Sequence, residues 1–459
     1  MKKKFSILAL STILATTAVF SNPAMATTPD QTRITELESK MNTLLEALQE
    51  KQASIDTLNR QVADLNTQVK VQNTAIIPVP VQDEQIRTVV EEVVKEREAD
   101  SPFSKFSLGG YGEIHANFTE GTDDGKSLDK FDIHRMVALV GYQFTDWINF
   151  QAELELEHAF IEDKNSSKGY LMLEQAYVDF LLSDQANVRL GRVLTPVGIT
   201  NQHHEPTTFF SVERPKFDSI IIPSTWSSDG IGLFGILADN LSYEAYVVGG
   251  LDGSKFTDDG IRNGRIKDES SFNDPALTFR LDYYPFMDSS ASWSQNLRLG
   301  ASLYHGGIDN GQSGKDPNKD GDITIYSSDF SARFGDLDLK GVVAFQEIDG
   351  VENLTDGVAE EMFGYFIETG YHIMPEAWKA GKLSKSDLVA FVRYDEQNTQ
   401  HKMPAGVSAN PARDRYDWTY GLAYYPVPNL VLKADYQMLE AEGPTDPANM
   451  INLGVGFQF

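Results

Sequence analysis

The stretch INFQAELELE (Ile148–Glu157) alternates apolar and polar side chains without a break. Successive side chains of a β-strand point to opposite faces, so this stretch predicts a strand with one apolar face and one face of amides and glutamates. About ten residues is also the length that a tilted strand needs to cross a lipid bilayer. A strand with lipid on one side and water on the other would account for both features.

Sixteen runs of this kind follow one another from Phe106 to Phe459. We place their starts near Phe106, Ile133, Ile148, Tyr170, Val188, Gly230, Leu241, Ala276, Asn296, Ile323, Leu337, Met362, Asp387, Asp417, Leu430 and Ile451. Short links such as Thr145–Trp147 are interleaved with long ones such as Gly249–Pro275. Membrane barrels have this alternation of short turns and long loops. The sequence therefore predicts an all-β fold, a 16-stranded antiparallel transmembrane β-barrel over residues 106–459.

One long link has no strand or helix periodicity over its 35 residues, TPVGITNQHHEPTTFFSVERPKFDSIIIPSTWSSD, residues 195–229. Structureless connections of that length are uncommon unless they have a function. A sixteen-stranded barrel otherwise leaves a wide aqueous channel, so we expect this loop to fold into the lumen as a constriction. Its charged residues Glu205, Glu213, Arg214 and Lys216 would then lie at the narrowest point.

The alternation also assigns charged side chains to the lumen wall. The basic ones are Arg135, Arg189, Arg280, Arg298, Arg333, Lys340, Arg393 and Lys433. The acidic ones are Glu153, Glu155, Glu157, Asp179, Glu244, Asp282, Asp329, Asp338, Glu368, Asp395 and Asp435. A mixed wall keeps a channel wet and sets ion preference through fixed charge. Because acids are in excess on wall and loop, the residues predict a weak preference for cations or neutral solutes.

The N-terminal part of the chain has a different pattern. Residues 1–26 combine three lysines, an apolar run and a small-residue cleavage site, which is typical of a secretory signal peptide. Residues 27–77 carry a heptad repeat that predicts a periplasmic α-helical coiled coil, and hence a homo-oligomer. Branched residues at one seam position and leucines at the other favour two strands. Residues 78–105 contain two early prolines and predict a linker followed by a short helix.

Composition excludes several function classes. The formal net charge of −28 argues against nucleic acid as a partner. The chain has no cysteine, which excludes thiolate metal sites and disulfides. It has no G-x-S-x-G motif, and we predict that it is not an enzyme. The segment Gly230–Gly235 matches G-x-G-x-x-G, but a strand rather than a helix follows it, so we interpret these glycines as thinning a barrel wall.

Two segments could hold a metal ion. Asp316, Asn318, Asp320 and Asp322 match the first half of a calcium loop, with oxygen ligands at alternate positions around a glycine turn. The bidentate glutamate of such loops is missing, so a solvated turn is favoured over a structural calcium site. In the sequence His203-His204-Glu205 adjacent side chains point apart, which favours a pore-lining or loop-packing role over a shared ligand set. We expect no other cofactor.

The segments FSLGGYGEIHANF, LELEHAF, LEQAYVDF and RLGRVLTPVG, and the loop sequence after them, resemble the phosphate-selective porin O and P family of outer-membrane channels. The resemblance covers residues 106–459, and the final phenylalanine resembles the assembly signal of outer-membrane barrels. It implies a trimer in the outer membrane of a Gram-negative bacterium, with the third external loop inside the lumen. It also implies transport of phosphate or other anions, which opposes the cation preference predicted from the charges. A trimeric barrel likewise opposes a two-stranded coil, and the sequence leaves both questions open.

Together these features predict an outer-membrane porin, a water-filled channel for passive diffusion of small ions and solutes. Its partners would be outer-membrane lipid and further copies of itself, with the N-terminal region in the periplasm. The alternative is a coiled-coil tether or adhesin that links the membrane to the cell wall through the coil. Conductance in a planar bilayer separates the two, because a plugged tether conducts no current.

Overall fold

The structure is a computed structural model that describes residues 104–120, 129–158, 169–287, 296–309, 321–354, 357–443 and 449–459. The predicted signal peptide, the coiled coil and nearly all of the linker lie outside the described residues. So do Asp316, Asn318 and Asp320 of the predicted calcium loop, whereas Asp322 is described. Those predictions therefore stay predictions.

Within the described ranges, sixteen antiparallel strands form one closed barrel in which each strand pairs with its neighbours in sequence and β1 pairs with β16. The strands are β1 Phe106–Glu120, β2 Lys130–Thr145, β3 Ile148–Glu157, β4 Tyr170–Phe180, β5 Asn187–Leu194, β6 Ser227–Ala238, β7 Leu241–Gly249, β8 Pro275–Tyr283, β9 Arg298–Gly307, β10 Asp322–Phe334, β11 Leu337–Ile348, β12 Glu361–His372, β13 Asp387–Lys402, β14 Asp414–Val427, β15 Leu430–Ala441 and β16 Asn449–Gln458. The predicted fold class is confirmed, and no predicted start differs from the observed one by more than about three residues.

Alternation along each strand separates the two faces of the barrel wall. In β9, Arg298, Ser302 and Tyr304 are buried towards the lumen, whereas Leu299 and Leu303 are exposed on the outside. Exposed apolar side chains cover the outer face of the other strands as well. The polar face of the sequence pattern therefore lines the interior, and the apolar face surrounds the barrel.

Two of the register shifts in the described strands are β-bulges that turn extra polar residues into the lumen. In β2 the pairing shifts between Glu113 and Ile114 of β1, which leaves His134 as an extra residue next to Arg135. In β4 the pairing shifts opposite Glu153, which leaves Glu174 as the extra residue. A bulge places two residues opposite one and re-aims a side chain. The second bulge is the physical reason why the alternation of β4 is irregular in sequence.

The links at one end of the barrel are short except for 284–297 and 373–386, and we call the other end the long-loop end. Two short α-helices lie in the link between β5 and β6: α1 Ile199–Gln202 and α2 Phe217–Ile220. Single 3₁₀ turns occur at Gly253–Lys255, Arg262–Gly264, Val351–Asn353, Glu376–Trp378, Gly381–Leu383 and Pro411–Arg413. Among the described residues, no helix has the length and hydrophobicity that a transmembrane helix requires.

The glycines of Gly230–Gly235 lie within β6 and therefore in the barrel wall, as predicted. A Cβ at Gly230 would lie 2.7 Å from the Val248 side chain and 2.9 Å from its Cα. Glycine is therefore needed for the close approach of β6 and β7, and no helix follows as a dinucleotide site would require.

A buried apolar cluster fills part of the barrel interior. Phe217, Ile221 and Trp226 of the β5–β6 link are fully buried in it, together with inward-facing side chains of β7 to β12 such as Tyr304 and Phe366. The Trp226 and Tyr304 ring centroids are 4.8 Å apart. The cluster presses the link against one side of the wall, because apolar side chains gain free energy when they leave water.

Candidate functional site in the barrel lumen

The link between β5 and β6, residues 195–226, crosses the interior of the barrel and is here called the lumen loop. In the first half of the loop, Thr207 Oγ1 donates a hydrogen bond to Gln458 Oε1 of β16 at 2.8 Å. Pro206 packs on Gly456 of β16, where an added Cβ would lie 2.6 Å from the Pro206 Cβ. Glycine at this wall position therefore allows the loop to approach the far side of the barrel.

Wall side chains satisfy the buried backbone of the lumen loop. Asp435 of β15 accepts a hydrogen bond from Val212 N at 2.6 Å, and Lys433 donates from Nζ to Ser211 O at 2.8 Å. Arg393 of β13 donates to the Ser211 hydroxyl. An unpaired buried peptide group is costly, so these charged side chains act as structural partners of the loop. Sequence reasoning placed Arg393 and Lys433 on the wall but assigned them no loop partner.

Side chains of β1, β3 and β4 and of the lumen loop form what we call the His204 cluster: Tyr111, Glu153, Glu174 and His204. Tyr111 Oη donates to Glu153 Oε1 at 2.6 Å and lies 2.9 Å from His204 Nε2. The same His204 nitrogen lies 3.5 Å from Glu174 Oε1. Arg135 of β2 donates from Nη2 to His204 O at 2.6 Å. All five side chains are almost fully buried.

Electrostatics in the His204 cluster favour a charged imidazole. Burial by itself lowers the pKa of His204, but the carboxylates of Glu174 and Glu153 outweigh burial and the repulsion from Arg135, so the pKa rises to about 9. The oxygens of Glu153 and Glu174 and a His204 nitrogen are close enough to hold one metal ion. His204 Nδ1, however, lies 3.0 Å from Asn201 O, and Nε2 faces Tyr111 and Glu174, so both ring nitrogens have protein partners.

The two adjacent histidines differ in environment. His203 is exposed whereas His204 is buried, so the two rings do not share a ligand site. The prediction that neighbouring side chains in this segment point apart agrees with that arrangement.

Glu213, one of the four loop charges singled out in the sequence, pairs with β1. Its Oε1 lies 3.1 Å from His115 Nδ1 and accepts a hydrogen bond from Asn117 Nδ2 at 3.0 Å. Burial raises the pKa of Glu213, but the hydrogen bond and the attraction from His115 outweigh burial and hold the pKa well below its usual range. Glu213 therefore carries its charge at neutral pH and binds the loop to the wall.

Arg214 belongs to a group of three converging guanidinium groups, here called the arginine trio: Arg214, Arg262 and Arg265. The last two come from the β7–β8 link. Arg214 Nη1 donates to Ser224 Oγ at 3.0 Å, and Arg262 Nη1 and Arg265 Nη1 donate to Ser224 O at 3.2 and 2.7 Å. Among the described residues, none of the three pairs with a carboxylate.

The positive charges of the arginine trio repel one another. Burial and repulsion from Arg265 and Arg214 lower the pKa of Arg262 to about 9. Each of the three side chains remains partly exposed to the lumen. A partly exposed cluster of unpaired guanidinium groups attracts anions, because Arg presents several fixed N–H donors to an oxyanion.

The other two predicted constriction residues lie apart from each other. Lys216 lines a cavity of about 600 Å³ together with Arg262, Arg415 and Asp417. Glu205 is half-buried, and its backbone oxygen accepts a hydrogen bond from Thr208 N at 3.0 Å. The four predicted charges therefore lie along the loop and do not form a single ring.

Most of the predicted wall cations are paired with predicted wall acids. Arg280 and Arg298 share Asp282 and Asp329, with Arg280 Nη1 2.9 Å from Asp329 Oδ2. The remaining contacts are Arg135 with Glu113 and, at 3.7 Å, Glu155; Arg189 with Asp179 at 2.7 Å; Arg333 with Asp338 at 3.4 Å; Arg393 with Asp395 at 3.3 Å; and Lys340 Nζ with Thr208 O at 3.4 Å. Glu157 is half-buried beside β2. Pairing cancels much of the wall charge, so unpaired groups dominate the local field.

Sequence reasoning missed several residues of this site. Glu174 was not among the predicted wall residues, and the irregular alternation of β4 is the signal of the bulge that turns it inward. Arg262 and Arg265 lie in a link without periodicity, and no sequence signal places them beside Arg214. Contact between two separate long links depends on tertiary structure alone.

The geometry defines a class of protein: a closed sixteen-stranded barrel with one loop folded through its lumen. The fold is similar to that of Salmonella typhi OmpF in complex with daunomycin, with a TM-score of 0.53, 15% identity, and coverage of 77% of this chain and 97% of that chain. It is also similar to the outer membrane channel DcaP of Acinetobacter baumannii, with a TM-score of 0.50, 15% identity and the same coverage. At this identity the likeness concerns the fold alone.

A search against protein-family models found no match. The chain is 30% identical over 347 residues to an uncharacterized protein of Aquifex aeolicus strain VF5, which covers 72% of this chain and 74% of that protein. The chain belongs to the family of that protein. Membership in the phosphate-selective porin O and P family stays a prediction.

Proposed function

We propose that the protein is an outer-membrane porin, a water-filled channel for passive diffusion of small ions and solutes, and not an enzyme. The observation that carries the proposal is the lumen loop, which narrows a closed barrel whose interior is charged and whose exterior is apolar. An apolar band outside and a polar lumen inside are the properties of a transmembrane barrel channel. Localisation in the outer membrane of a Gram-negative bacterium follows from the same properties.

We further propose a preference for anions, phosphate included, over cations. The supporting observation is that most cations of the wall form ion pairs, whereas those of the arginine trio do not within the part of the chain that the structure describes. Wall cations such as Arg280 and Arg189 are neutralised by carboxylates, whereas the arginine trio has no carboxylate partner among the described residues. Charges confined by a low-dielectric wall are poorly screened and raise the local concentration of counter-ions by about tenfold or more. We infer that the field of the trio sets the preference, although the carboxylates of Glu157 and Glu174 also act on it.

The test is the reversal potential of the channel in a planar bilayer under a salt gradient. We expect anion preference in the unchanged protein, and Arg262→Ala with Arg265→Ala should lower the anion-to-cation permeability ratio by up to about tenfold. The control is Lys382→Ala with Lys385→Ala, which removes the same charge from exposed positions in the β12–β13 link and should leave the ratio unchanged.

Cation preference that the arginine double variant does not alter would refute the anion assignment and favour the acidic wall. Absence of any conductance would refute the channel itself and favour the tether or adhesin alternative. The two outcomes are distinguishable in one experiment.

A further inference from the structure

Three potential metal ligands meet at the long-loop end of the barrel, apart from the lumen loop. Asp132 and His134 lie on β2, and His158 follows the last residue of β3. Asp132 Oδ2 lies 3.6 Å from His134 Nδ1 and 2.5 Å from His158 Nδ1. The three donor atoms all lie within 4.8 Å of one another. We call this group the Asp132 cluster.

Local backbone structure brings the three side chains together. Asp132 and His134 are two residues apart in β2 and share its inward face by strand alternation. The bulge at His134 lets Arg135 face inward as well. His158 has a positive φ of 49°, and its N–H donates to His134 O at 3.1 Å. A histidine with positive φ is uncommon, and here the hydrogen bond across β2 and β3 holds it in place. Strand alternation and this hydrogen bond together bring the two imidazoles to the same carboxylate.

The cluster is accessible to an ion from solvent. Side-chain exposures of 24% for Asp132, 28% for His134 and 34% for His158 leave the donors half-buried but open on one side. The surrounding charges favour a cation, since the carboxylates of Asp132, Glu113 and Glu213 outnumber the guanidinium of Arg135 in this region. An open side leaves room for water as a further ligand.

We propose that Asp132, His134 and His158 bind one late first-row divalent cation, with Zn²⁺ as the representative ion. Two imidazole nitrogens and one carboxylate oxygen suit zinc and its neighbours, whereas Ca²⁺ and Mg²⁺ prefer oxygen ligands. Zinc bonds of about 2.0–2.2 Å require adjacent donors to lie roughly 3.4 Å apart. The distance of 3.6 Å between Asp132 Oδ2 and His134 Nδ1 already fits. The distance between Asp132 Oδ2 and His158 Nδ1 has to increase from 2.5 Å to roughly 3.4 Å.

The site is connected to the lumen loop through stacked rings. The imidazoles of His134 and His115 are parallel, with centroids 4.3 Å apart and an interplanar angle of 9°. His115 in turn contacts Glu213 of the lumen loop at 3.1 Å. The rings of His134 and His115 would therefore separate a bound cation from Glu213, which holds the loop to the wall.

Calorimetric titration of Zn²⁺ into the full-length mature protein, purified in detergent without a histidine tag, tests the proposal. We expect one Zn²⁺ per chain, and no comparable heat with Ca²⁺. Asp132→Asn and His158→Gln should each weaken the binding at least tenfold. His305→Ala is the control, because His305 contacts Thr324 at 2.9 Å on β9 and β10 and lies outside the cluster; it should leave the binding unchanged.

Visible absorption of Co²⁺ bound to the unchanged protein gives a second readout that does not depend on any variant folding. Bands typical of cobalt with nitrogen ligands, lost on addition of Zn²⁺, would support the same site. No Zn²⁺ binding, or binding that survives both Asp132→Asn and His158→Gln, would overturn the proposal.

Discussion

At the scale of single residues, the lumen is controlled by a few buried charges whose partners come from distant parts of the chain. His204 contacts Tyr111, Glu153 and Glu174 on three different strands, and its own backbone oxygen accepts from Arg135. Removing one member would leave the others buried without a partner, which is costly. The cluster therefore links the stability of the loop to the charge of one imidazole.

We expect the stability of the protein to fall between pH 7 and pH 10 in part because of His204. Its pKa is about 9 in the folded protein against about 6.5 when unfolded, so its stabilisation is complete below pH 6.5 and is lost as pH rises through 9. The full contribution is about 3 kcal/mol. Thermal unfolding in detergent at several pH values measures it. His204→Gln should flatten the alkaline part of the profile, whereas the exposed His401→Gln should not; equal profiles for all three proteins would contradict this assignment.

At the scale of elements, the lumen loop is held by apolar packing as well as by charged partners. Asn201 joins the two ends of the loop: its side chain donates to Trp226 O at 2.9 Å, and its Oδ1 accepts from Trp226 N at 2.8 Å. Trp226 itself is fully buried in the apolar cluster. The loop therefore has a fixed base at Trp226 and several fixed points on the far wall.

Trp226→Ala should loosen the lumen loop and widen the channel. Truncating a fully buried tryptophan costs about 3–5 kcal/mol. The change also removes the packing of the loop on Tyr304 of β9. We expect higher and noisier unitary conductance in a planar bilayer. Trp418→Ala removes the same side chain from the exposed outer face of β14 and serves as the control. Unchanged conductance in Trp226→Ala would mean that the loop does not depend on this packing.

At the scale of the whole molecule, we propose that the protein is a homo-oligomer, a trimer by the resemblance noted in the sequence, with outer-membrane lipid around it. The N-terminal coil, with its own seam of branched residues and leucines, would extend about 58 Å into the periplasm over residues 34–72. Contact of that coil with the cell wall is part of the same proposal. The coil and the barrel are separate candidates for the interface that holds the oligomer together.

Deletion of residues 34–72 should leave an oligomer, because the apolar outer face of the barrel offers a second surface for association within the membrane. Analytical ultracentrifugation in detergent measures the mass of the assembly. A full-length protein with Leu44→Asp and Leu58→Asp, which disrupts the seam without shortening the chain, is the matched control and should behave in the same way. Monomers in both cases would show that the coil holds the assembly.

The sequence by itself determined the barrel. Strict alternation in Ile148–Glu157 and in the other runs fixes which face of each strand is apolar, and the alternation of short and long links fixes the antiparallel order. Local periodicity is sufficient here because each strand pairs with its neighbour in sequence. The sequence also predicted that the long link after β5 enters the lumen, because a link of that length without periodicity is uncommon unless it has a function.

Only the tertiary structure decided how that lumen is arranged. Three features join residues that are far apart in sequence: the bulges at His134 and Glu174, the packing of Trp226 on Tyr304, and the convergence of Arg214 with Arg262. Alternation with a period of two residues does not show where a strand contains one extra residue. A link without periodicity does not indicate which other parts of the chain it contacts. Which charges are paired, and therefore which remain to act on an ion, depends on those contacts.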